Sequence, residues 1–457
     1  MSSRFWESPK KSFNTGLFTD LKLFSEAMEI AKEQGYVTKK ILIDELPQRV
    51  KGLLFVKNQS SRGIEDLIRE LRMFNWLKSY YSHQTLYNYS KFNETAKFDL
   101  TNEGSKAYDL SKNDNKAFQR LLTIKMHDCY KIPGWFINRL WIINSEGQGE
   151  IVIPAPKKEW KPKSREWDNK TWTEELKEQA KQTFNAITKV SECIFPIDFY
   201  LWLDAVEKAW IRLSNAKQKK VAKQPRSNKN EKSKEKVKTF KPRRRLASAM
   251  QEATVKLLFS NIPPNSIKKD FSNNKEPISP RIYNAWCPRL EKLELLFYTD
   301  NHPLIPGRLI FPTSVFKKNA LNDEFEVLDK IKNLKDEKLC LHKPKWINIR
   351  SKFLSILKQE HQRLYNRIGS LYVSLLDVRD EVCRQLRLSA SNFDIFIKIA
   401  FVESLKQETN ISMSIETDVR EDQRGAHRLV RRPVYIDGIP HSLIAITETL
   451  ELERFSK

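Results

Sequence analysis

Residues 61–104 read SRGIEDLIRELRMFNWLKSYYSHQTLYNYSKFNETAKFDLTNEG. In the first part of this stretch the apolar side chains are spaced three and four residues apart, which is the period of one face of an α-helix. They are Ile64, Leu67, Ile68, Leu71, Phe74 and Leu77. Because Ser61 can cap the start, the spacing predicts a helix over 62–78.

The second part of the stretch alternates between apolar and polar residues, which is the period of a half-buried strand. The alternating runs are 86–92 and 95–101, and they meet at Asn93-Glu94. Two strands joined by so short a connection predict a β-hairpin.

Two shorter helices are predicted upstream of this stretch. Residues 21–32 have helical apolar spacing and are followed by Gly35. Thr38 can cap a second segment over 39–46, which we expect to stop at Pro47. The first hundred residues therefore predict three helices followed by a hairpin.

This layout resembles the winged-helix fold. The residues Leu100-Thr101-Asn102-Glu103-Gly104 are similar to the LT-x-x-G sequence that follows the wing in many winged-helix transcription factors. The resemblance covers about residues 15–120, and it implies that the third helix contacts DNA.

A second copy of the layout is predicted over residues 246–316. Its elements are a helix over 246–259, a short helix over 266–271, a third helix that begins at Pro280, and a hairpin of 293–299 with 307–313. Pro288 should end or kink the third helix.

A third copy is predicted at the C-terminal end of the sequence. Its elements are helices over 375–388 and 392–405 joined at Ser389-Ala390-Ser391, a run over 411–417, and a hairpin of 429–436 with 441–447 that turns at Asp437-Gly438. The second of these helices is apolar almost all round and offers only Lys398 to a DNA base. We therefore expect this module to contact a protein partner.

The predicted fold class is mainly α with small β-hairpins (α+β), in a multi-domain chain of tandem winged-helix modules joined by a helical middle and a disordered basic linker. The predicted domains are a winged helix over 1–125, a Trp-rich strand and helix region over 126–216, the polybasic linker 217–245, a second winged-helix-like domain over 246–320, a helical connector over 321–370, and a C-terminal winged-helix-like domain over 371–457.

The net charge of +24 is concentrated in one short segment. Residues 217–245 carry 14 basic and 2 acidic side chains, which is half of the net charge. With few apolar residues, the segment cannot offset the entropy of ordering, so we expect it to be a disordered linker. A flexible polycation binds phosphates well because each neutralised phosphate releases a counterion. The alternative is a solubilising tether.

The candidate DNA-binding residues are the basic and polar side chains of the predicted third helices, wings and linker. They are Arg62, Arg69, Arg72, Lys91, Lys97, Lys219, Lys220, Arg243, Arg244, Arg245, Arg281, Tyr283, Asn284, Arg289, Arg428, Arg431 and Arg432. Double-stranded DNA is the partner that this set predicts.

Seven of the eleven tryptophans lie between residues 135 and 210. Trp160 and Trp167 are flanked by basic residues, a pattern that can stack single-stranded bases. Trp202 and Trp210 fall on a predicted helix over 198–213, and we expect them to be core residues.

Residues for catalysis are few. His127 with Cys129 and Cys340 with His342 each supply two soft ligands, but four-ligand zinc sites need two such pairs close together. The sequence has no G-x-G-x-x-G, Walker A or G-x-S-x-G motif. We predict a protein that is not an enzyme, with no metal and no cofactor.

No apolar run reaches the 18–20 residues that span a bilayer, and the five cysteines are scattered. These features predict a soluble, cytoplasmic protein with no membrane partner.

Three hypotheses for the function remain open. In the first, tandem winged helices and the polybasic linker bind duplex DNA, as in the recognition or adaptor subunits of bacterial multi-gene systems, including antiviral (anti-phage) defence, which the chain resembles. In the second, the chain resembles the kleisin-like scaffold subunits of chromosome-organising or plasmid-restricting ATPase complexes. In the third, it is a nuclease whose active site the sequence patterns do not reveal.

Overall fold

The structure is a computed structural model. It describes residues 21–50, 60–79, 96–129, 150–156, 160, 171–190, 198–221, 242–260, 280–300, 302–317, 325–330, 338–417 and 433–448. Over these residues the chain is mainly helical with small antiparallel sheets, which confirms the predicted α+β class. The chain divides into two compact units. The first contains residues 1–147, 281–297 and 312–345, and the second contains 148–280, 298–311 and 346–457.

The described helices and strands are numbered in chain order. The helices are α1 (Lys22–Gln34), α2 (Lys39–Arg49), α3 (Ser60–Met73), α4 (Asn102–Asn113), α5 (Asn115–Cys129), α6 (Glu174–Val190), α7 (Phe199–Val221), α8 (Pro242–Ser260), α9 (Pro280–Lys292), α10 (Trp346–Ile368), α11 (Leu375–Leu386) and α12 (Ala390–Leu405). The strands are β1 (Leu77–Ser79), β2 (Phe98–Leu100), β3 (Ile151–Pro154), β4 (Leu296–Thr299), β5 (Gly307–Pro312), β6 (Ser314–Lys317), β7 (Phe325–Lys330), β8 (Lys338–His342), β9 (Val373–Ser374), β10 (Ile411–Glu416), β11 (Val434–Ile436), β12 (Ile439–His441) and β13 (Leu443–Glu448).

The N-terminal helices form where the sequence predicts them. Gly35 ends α1 in the left-handed conformation (φ 72°), and the Thr38 hydroxyl caps α2 by accepting a hydrogen bond from the Ile41 amide. The helix α2 continues two residues past Pro47, because a proline near a C-terminal end removes only one of the last amide donors. An aromatic cluster fills the core between α1, α3 and α5, and its members are Phe24, Phe74, Trp76 and Phe118.

The predicted helix over 62–78 ends earlier than expected. The helix α3 stops at Met73, Asn75 adopts a left-handed conformation (φ 62°), and Leu77 lies in β1. The strand β2 pairs with β1. The partner predicted for it, the run 86–92, lies outside the described residues.

The same helix terminus occurs at the end of α3, α9 and α12. At each, three successive amides donate to carbonyls four, three and five residues back, and the middle residue has a positive φ. The middle residues are Asn75, Glu294 and Gln407, with φ of 62°, 59° and 58°. A strand follows each terminus, namely β1, β4 and β10. A shared helix terminus followed by a strand therefore occurs at three places, although no sequence identity reveals it.

The first two of these termini are closed by an equivalent threonine. The Thr101 hydroxyl donates to the Asn75 carbonyl at 2.6 Å, and the Thr313 hydroxyl donates to the Glu294 carbonyl at 2.5 Å. Both threonine amides donate to the carbonyl of the next residue, Trp76 or Leu295. Thr101 also caps α4, and three residues later a Cβ on Gly104 would lie 2.1 Å from the Trp76 carbonyl oxygen. This contact explains why the LT-x-x-G sequence needs its glycine.

The strand order is also shared by three of the sheets. In each sheet, the central strand is the one that comes last in the chain. On one side it pairs with the strand that follows the helix terminus, and on the other side it pairs with a segment that precedes that helix in the sequence. These orders are Val37–β2–β1, β3–β5–β4 and β9–β13–β10.

Three predicted domain boundaries differ from the observed elements. The second predicted module is not one compact body, because α8 belongs to the second unit and most of α9 to the first. Residues 321–370 are not purely helical, since β7 and β8 precede α10. The linker 217–245 begins and ends in helix, because α7 runs to Val221 and α8 starts at Pro242.

The C-terminal elements follow the prediction closely. The predicted joint at Ser389-Ala390-Ser391 is shorter than expected, because Ser389 caps α12 through the Asn392 amide and the helix already begins at Ala390. The turn Asp437-Gly438 has positive φ at both positions (50° and 80°) and joins β11 to β12. The rest of the run 441–447 does not stay in this hairpin, because β13 pairs with β10 and β9 instead.

Candidate nucleic-acid interface

The helices α7 and α8 of the second unit pack antiparallel to each other. The Trp202 Nε1–H donates to the Thr254 hydroxyl at 2.9 Å near one end of the pair. Near the other end, Arg245 donates to the Ser214 hydroxyl at 3.0 Å. The end of α7 and the start of α8 therefore lie at the same end of the pair, and the basic residues 222–241 connect them.

Arg245 anchors this end of the helix pair. Its guanidinium lies 5.5 Å from the ring centre of Trp210, whose ring lies 6.2 Å from that of Trp172. The residue is buried, and desolvation lowers the pKa of its guanidinium. Arg245 was expected to bind phosphate. Its position instead makes it a packing residue, because its charged group lies over an indole inside the pair.

The other cations at this end differ from Arg245. Arg244 is exposed and Arg243 is half-buried on the first turn of α8. Lys219 and Lys220 lie on the last turn of α7, so their backbone is helical rather than disordered. The sequence therefore has cations in the last turn of α7 and the first turn of α8, and eight more basic residues over 222–241 between them.

The predicted DNA-reading helix α3 carries three acidic and three basic residues, and several of them pair within the protein. Arg69 lies 3.1 Å from Asp66 and 3.5 Å from Glu65, and Lys39 lies 2.8 Å from Glu65. Burial raises the pKa of Asp66 to about 7, a shift that Arg69 opposes and that the nearby Glu70 increases. Every residue over Gly63–Phe74 is buried or half-buried. Because the cation Arg69 is paired with carboxylates of its own helix, α3 is a poor match for DNA phosphates.

Two further cations of the first module face aromatic rings. Arg72 lies 5.3 Å from the ring centre of Phe98, and Lys97 lies 4.1 Å from that of Tyr36. Arg62 lies on the first turn of α3. Arg69 and Arg72, which were both predicted to contact DNA, therefore contact other residues of the protein, and the spacing of the sequence did not reveal these contacts.

Arg289 is a core residue and not a groove contact. Its guanidinium is bidentate to Glu70, with Nη2 and Oε2 3.0 Å apart, and the two side chains are 1% and 3% exposed. Arg281, Tyr283 and Asn284 lie on the earlier turns of the same helix, α9. Lys91, Arg428, Arg431 and Arg432 lie outside the described residues.

The two tryptophans assigned to the core lie there. Trp202 and Trp210 are fully buried, which confirms their assignment to the core. Trp160 is half-buried, and Trp167 lies outside the described residues.

The helix α12 carries exposed apolar side chains. Ile395, Val402 and Leu405 are 54%, 38% and 66% exposed and lie along one side of the helix. Lys398, on the same side, pairs with Asp437 at the tip of the β11–β12 hairpin. Tyr435 and Ile439 of that hairpin are also exposed. An apolar surface of this kind is typical of protein contacts.

Sequence reasoning missed a buried ionic cluster in the second unit. Glu381 lies 2.8 Å from His302 Nε2 and 2.6 Å from Arg384, and Glu150 lies 2.9 Å from Arg387 and 3.2 Å from Arg384. Burial acts to raise the pKa of Glu381, but His302 and Arg384 together lower it to about 2. The one feature of the sequence that could have indicated the cluster is the mixture of acidic and basic residues in α11, and that mixture is equally typical of a solvent-exposed helix.

The described residues contain no group of three or more His, Cys, Asp or Glu side chains that could hold a metal ion. In the part of the chain that the structure describes, no helix has the length and apolar content to cross a membrane. Comparisons with protein-family models, curated proteins and solved structures find no match to this chain.

Proposed function

We propose that this protein binds duplex DNA through the basic segment that joins α7 and α8, and that it acts as a recognition or adaptor subunit of a multi-protein complex. The observation that carries the proposal is the concentration of 14 basic and 2 acidic residues over 217–245 at one end of a packed helix pair. A polycation tied down at both ends keeps its charges near one place, so that many phosphate contacts form together.

The recurrent layout supports winged-helix modules within this proposal. Two parts of the chain share one order of elements, which is a helix, a short strand or bridge, two helices, a strand, a connection and a last strand. The first part runs from α1 to β2, with Val37 as the bridge, and the second runs from α10 to β13. The last strand takes the central place in both sheets. The third helices have other tasks, because α3 is paired inside the protein and α12 is apolar.

The test measures DNA affinity against salt for the full chain. A variant with glutamine at the eight basic positions of 222–241 keeps the length of the segment. We expect the wild type to show a steep salt dependence of several phosphate contacts, at about −0.9 in log K per log salt for each contact. The variant should lose most of that slope. Absence of measurable DNA binding by the wild type would contradict the proposal.

A control variant shows whether a change in the salt slope is specific to the basic segment or follows from any loss of positive charge. Lys177, Lys181 and Lys189 are exposed on α6 of the same unit, and their replacement by glutamine removes charge elsewhere. This control should keep the slope of the wild type.

A second candidate function is a scaffold that docks a protein through its C-terminal module. The observation that favours it is the exposed apolar side of α12. If DNA binding fails, substituting Val402 and Leu405 with aspartate should still abolish assembly of the complex isolated from the native host. An unchanged complex would contradict the scaffold.

A further inference from the structure

The helix α10 is long and has a polar exposed face. It contains 23 residues, and its other face packs against α11, β9 and β13. The buried residues are Phe353, Ile356, Leu357, Glu360, His361 and Leu364. The exposed face carries a stripe at four- and three-residue spacing, made of Asn348, Lys352, Ser355, Gln359, Gln362 and Asn366.

The charge of this face has one sign. The helix has five basic residues and one acidic residue, Glu360. Glu360 is buried, and its Oε2 lies 2.6 Å from Arg363 Nε, so no carboxylate is exposed anywhere on the helix. On α6, by contrast, exposed Glu174 and Glu178 alternate with lysines. The face of α10 therefore attracts polyanions, whereas that of α6 is close to neutral.

The uncharged residues of the stripe match base edges. Asn and Gln side chains carry a donor and an acceptor on one amide, the pattern that pairs with adenine in the major groove. Gln362 Nε2 donates to Asn366 Oδ1 at 2.8 Å, which orients both amides. Ser355, with Lys358 and Gln359 beside it, lines a shallow depression in the same face.

The length and support of the helix also fit a DNA groove. The stripe covers the 19 residues from Asn348 to Asn366, a rise of about 27 Å at 1.5 Å per residue, and the major groove is wide enough to admit an α-helix. The first turns are held in place, because Trp346 Nε1 and Arg350 Nε donate to the two oxygens of Glu403 at 2.7 and 2.8 Å. A helix fixed in this way loses little entropy on binding.

We propose that the exposed face of α10 binds the major groove of duplex DNA, so that α10, which precedes the predicted C-terminal domain, is the reader and α12 is not. This inference rests on the proposed function, since the basic segment 217–245 would supply most of the affinity and α10 the contact with the bases.

The test uses the full chain with Lys352 and Lys358 both changed to glutamate. Affinity for a 30-base-pair duplex should fall at least tenfold at 100 mM salt, and the salt slope should fall by about 2. The matched control is Lys181→Glu with Lys189→Glu, on the exposed face of α6. It should change affinity less than threefold.

A photocrosslinking amino acid at Gln359 provides a second measurement that does not depend on charge. It should crosslink to duplex DNA, whereas the same amino acid at Gln182 on α6 should not. Crosslinks to single-stranded DNA in preference to duplex would overturn the inference.

The outcomes separate this inference from the proposed function. If the wild type binds duplex DNA with a steep slope but the α10 and α6 variants behave alike, only the role of α10 is overturned. If the wild type does not bind duplex DNA at all, both are overturned.

Discussion

Arg289 and Glu70 lie 219 residues apart in the sequence and form a bidentate ion pair in the interior of the first unit. The pair joins α9 to α3, and the Arg289 guanidinium also lies 5.5 Å from the Phe24 ring and 5.4 Å from the Trp286 ring. A charge buried in this way is stable only because its partner is buried beside it.

The first prediction concerns this pair. Arg289→Met should lower the free energy of unfolding of the full chain by about 3–5 kcal/mol, because it leaves the Glu70 carboxylate buried without its guanidinium. Adding Glu70→Leu should recover a large part of the loss. Denaturant unfolding measures both variants.

Arg49→Met serves as the control, since Arg49 pairs with Glu33 at the surface. It should cost about 1 kcal/mol or less. If Arg289→Met and Arg49→Met lowered the free energy of unfolding equally, the buried pair would contribute no more to stability than the surface pair.

The second prediction concerns pH. The pKa of Asp66 is raised to about 7, so between about pH 4 and 7 the folded chain keeps a proton that the unfolded chain has released. The contribution of Asp66 to stability therefore falls as the pH rises through this window. Asp66→Asn removes the titration, and its stability relative to the wild type should rise by an amount on the order of 1–4 kcal/mol between pH 4 and 7.

Thermal unfolding of both proteins at several pH values measures this difference. Asp109, which pairs with Lys32 at the surface, supplies the control variant Asp109→Asn. A gap between wild type and Asp66→Asn that stays constant with pH would contradict the prediction.

Local patterns predicted those elements whose signals lie within a few residues. The capping residue Thr38 and the turn Asp437-Gly438 are where the sequence placed them, because caps and tight turns depend on the residues themselves. The end of α3 was missed, since the apolar spacing continues through Leu77 although Asn75 already turns the chain.

The candidate site was harder to predict, because a cation in a helix looks the same whether it faces solvent or the core. Arg289 and Arg245 were both assigned to DNA, and the structure buries one against Glu70 and the other against Trp210. Their partners come from distant parts of the chain, so periodicity carries no information about them. The exposed face of α10 was missed for the opposite reason, since its uncharged polar residues gave no charge signal.

The third prediction tests whether the repeated helix termini have the same energetic basis. Thr313→Val removes the hydroxyl that binds the Glu294 carbonyl and should cost about 1 kcal/mol. Thr101→Val removes the equivalent bond to Asn75 and also the cap of α4, so it should cost about 1–2 kcal/mol. Thr188→Val, on an exposed turn of α6, should cost no more than about 0.5 kcal/mol. Denaturant unfolding gives all three values, and a negligible cost at both Thr101 and Thr313 would contradict a shared role.

The fourth prediction separates three neighbouring arginines by what each contacts. Arg243→Gln with Arg244→Gln should make the salt slope of DNA binding less steep by about 1–2, because Arg244 is exposed and Arg243 half-buried on the first turn of α8, which directly follows the basic segment in the sequence. Their loss should leave the melting temperature nearly unchanged. Arg245→Gln should do the reverse, since its guanidinium packs on Trp210 and binds Ser214 within the helix pair. Its melting temperature should fall by several degrees while the slope of the folded protein is retained. Equal loss of slope in the double variant and in Arg245→Gln would show that the helix pair, and not the surface charge at its end, controls DNA binding.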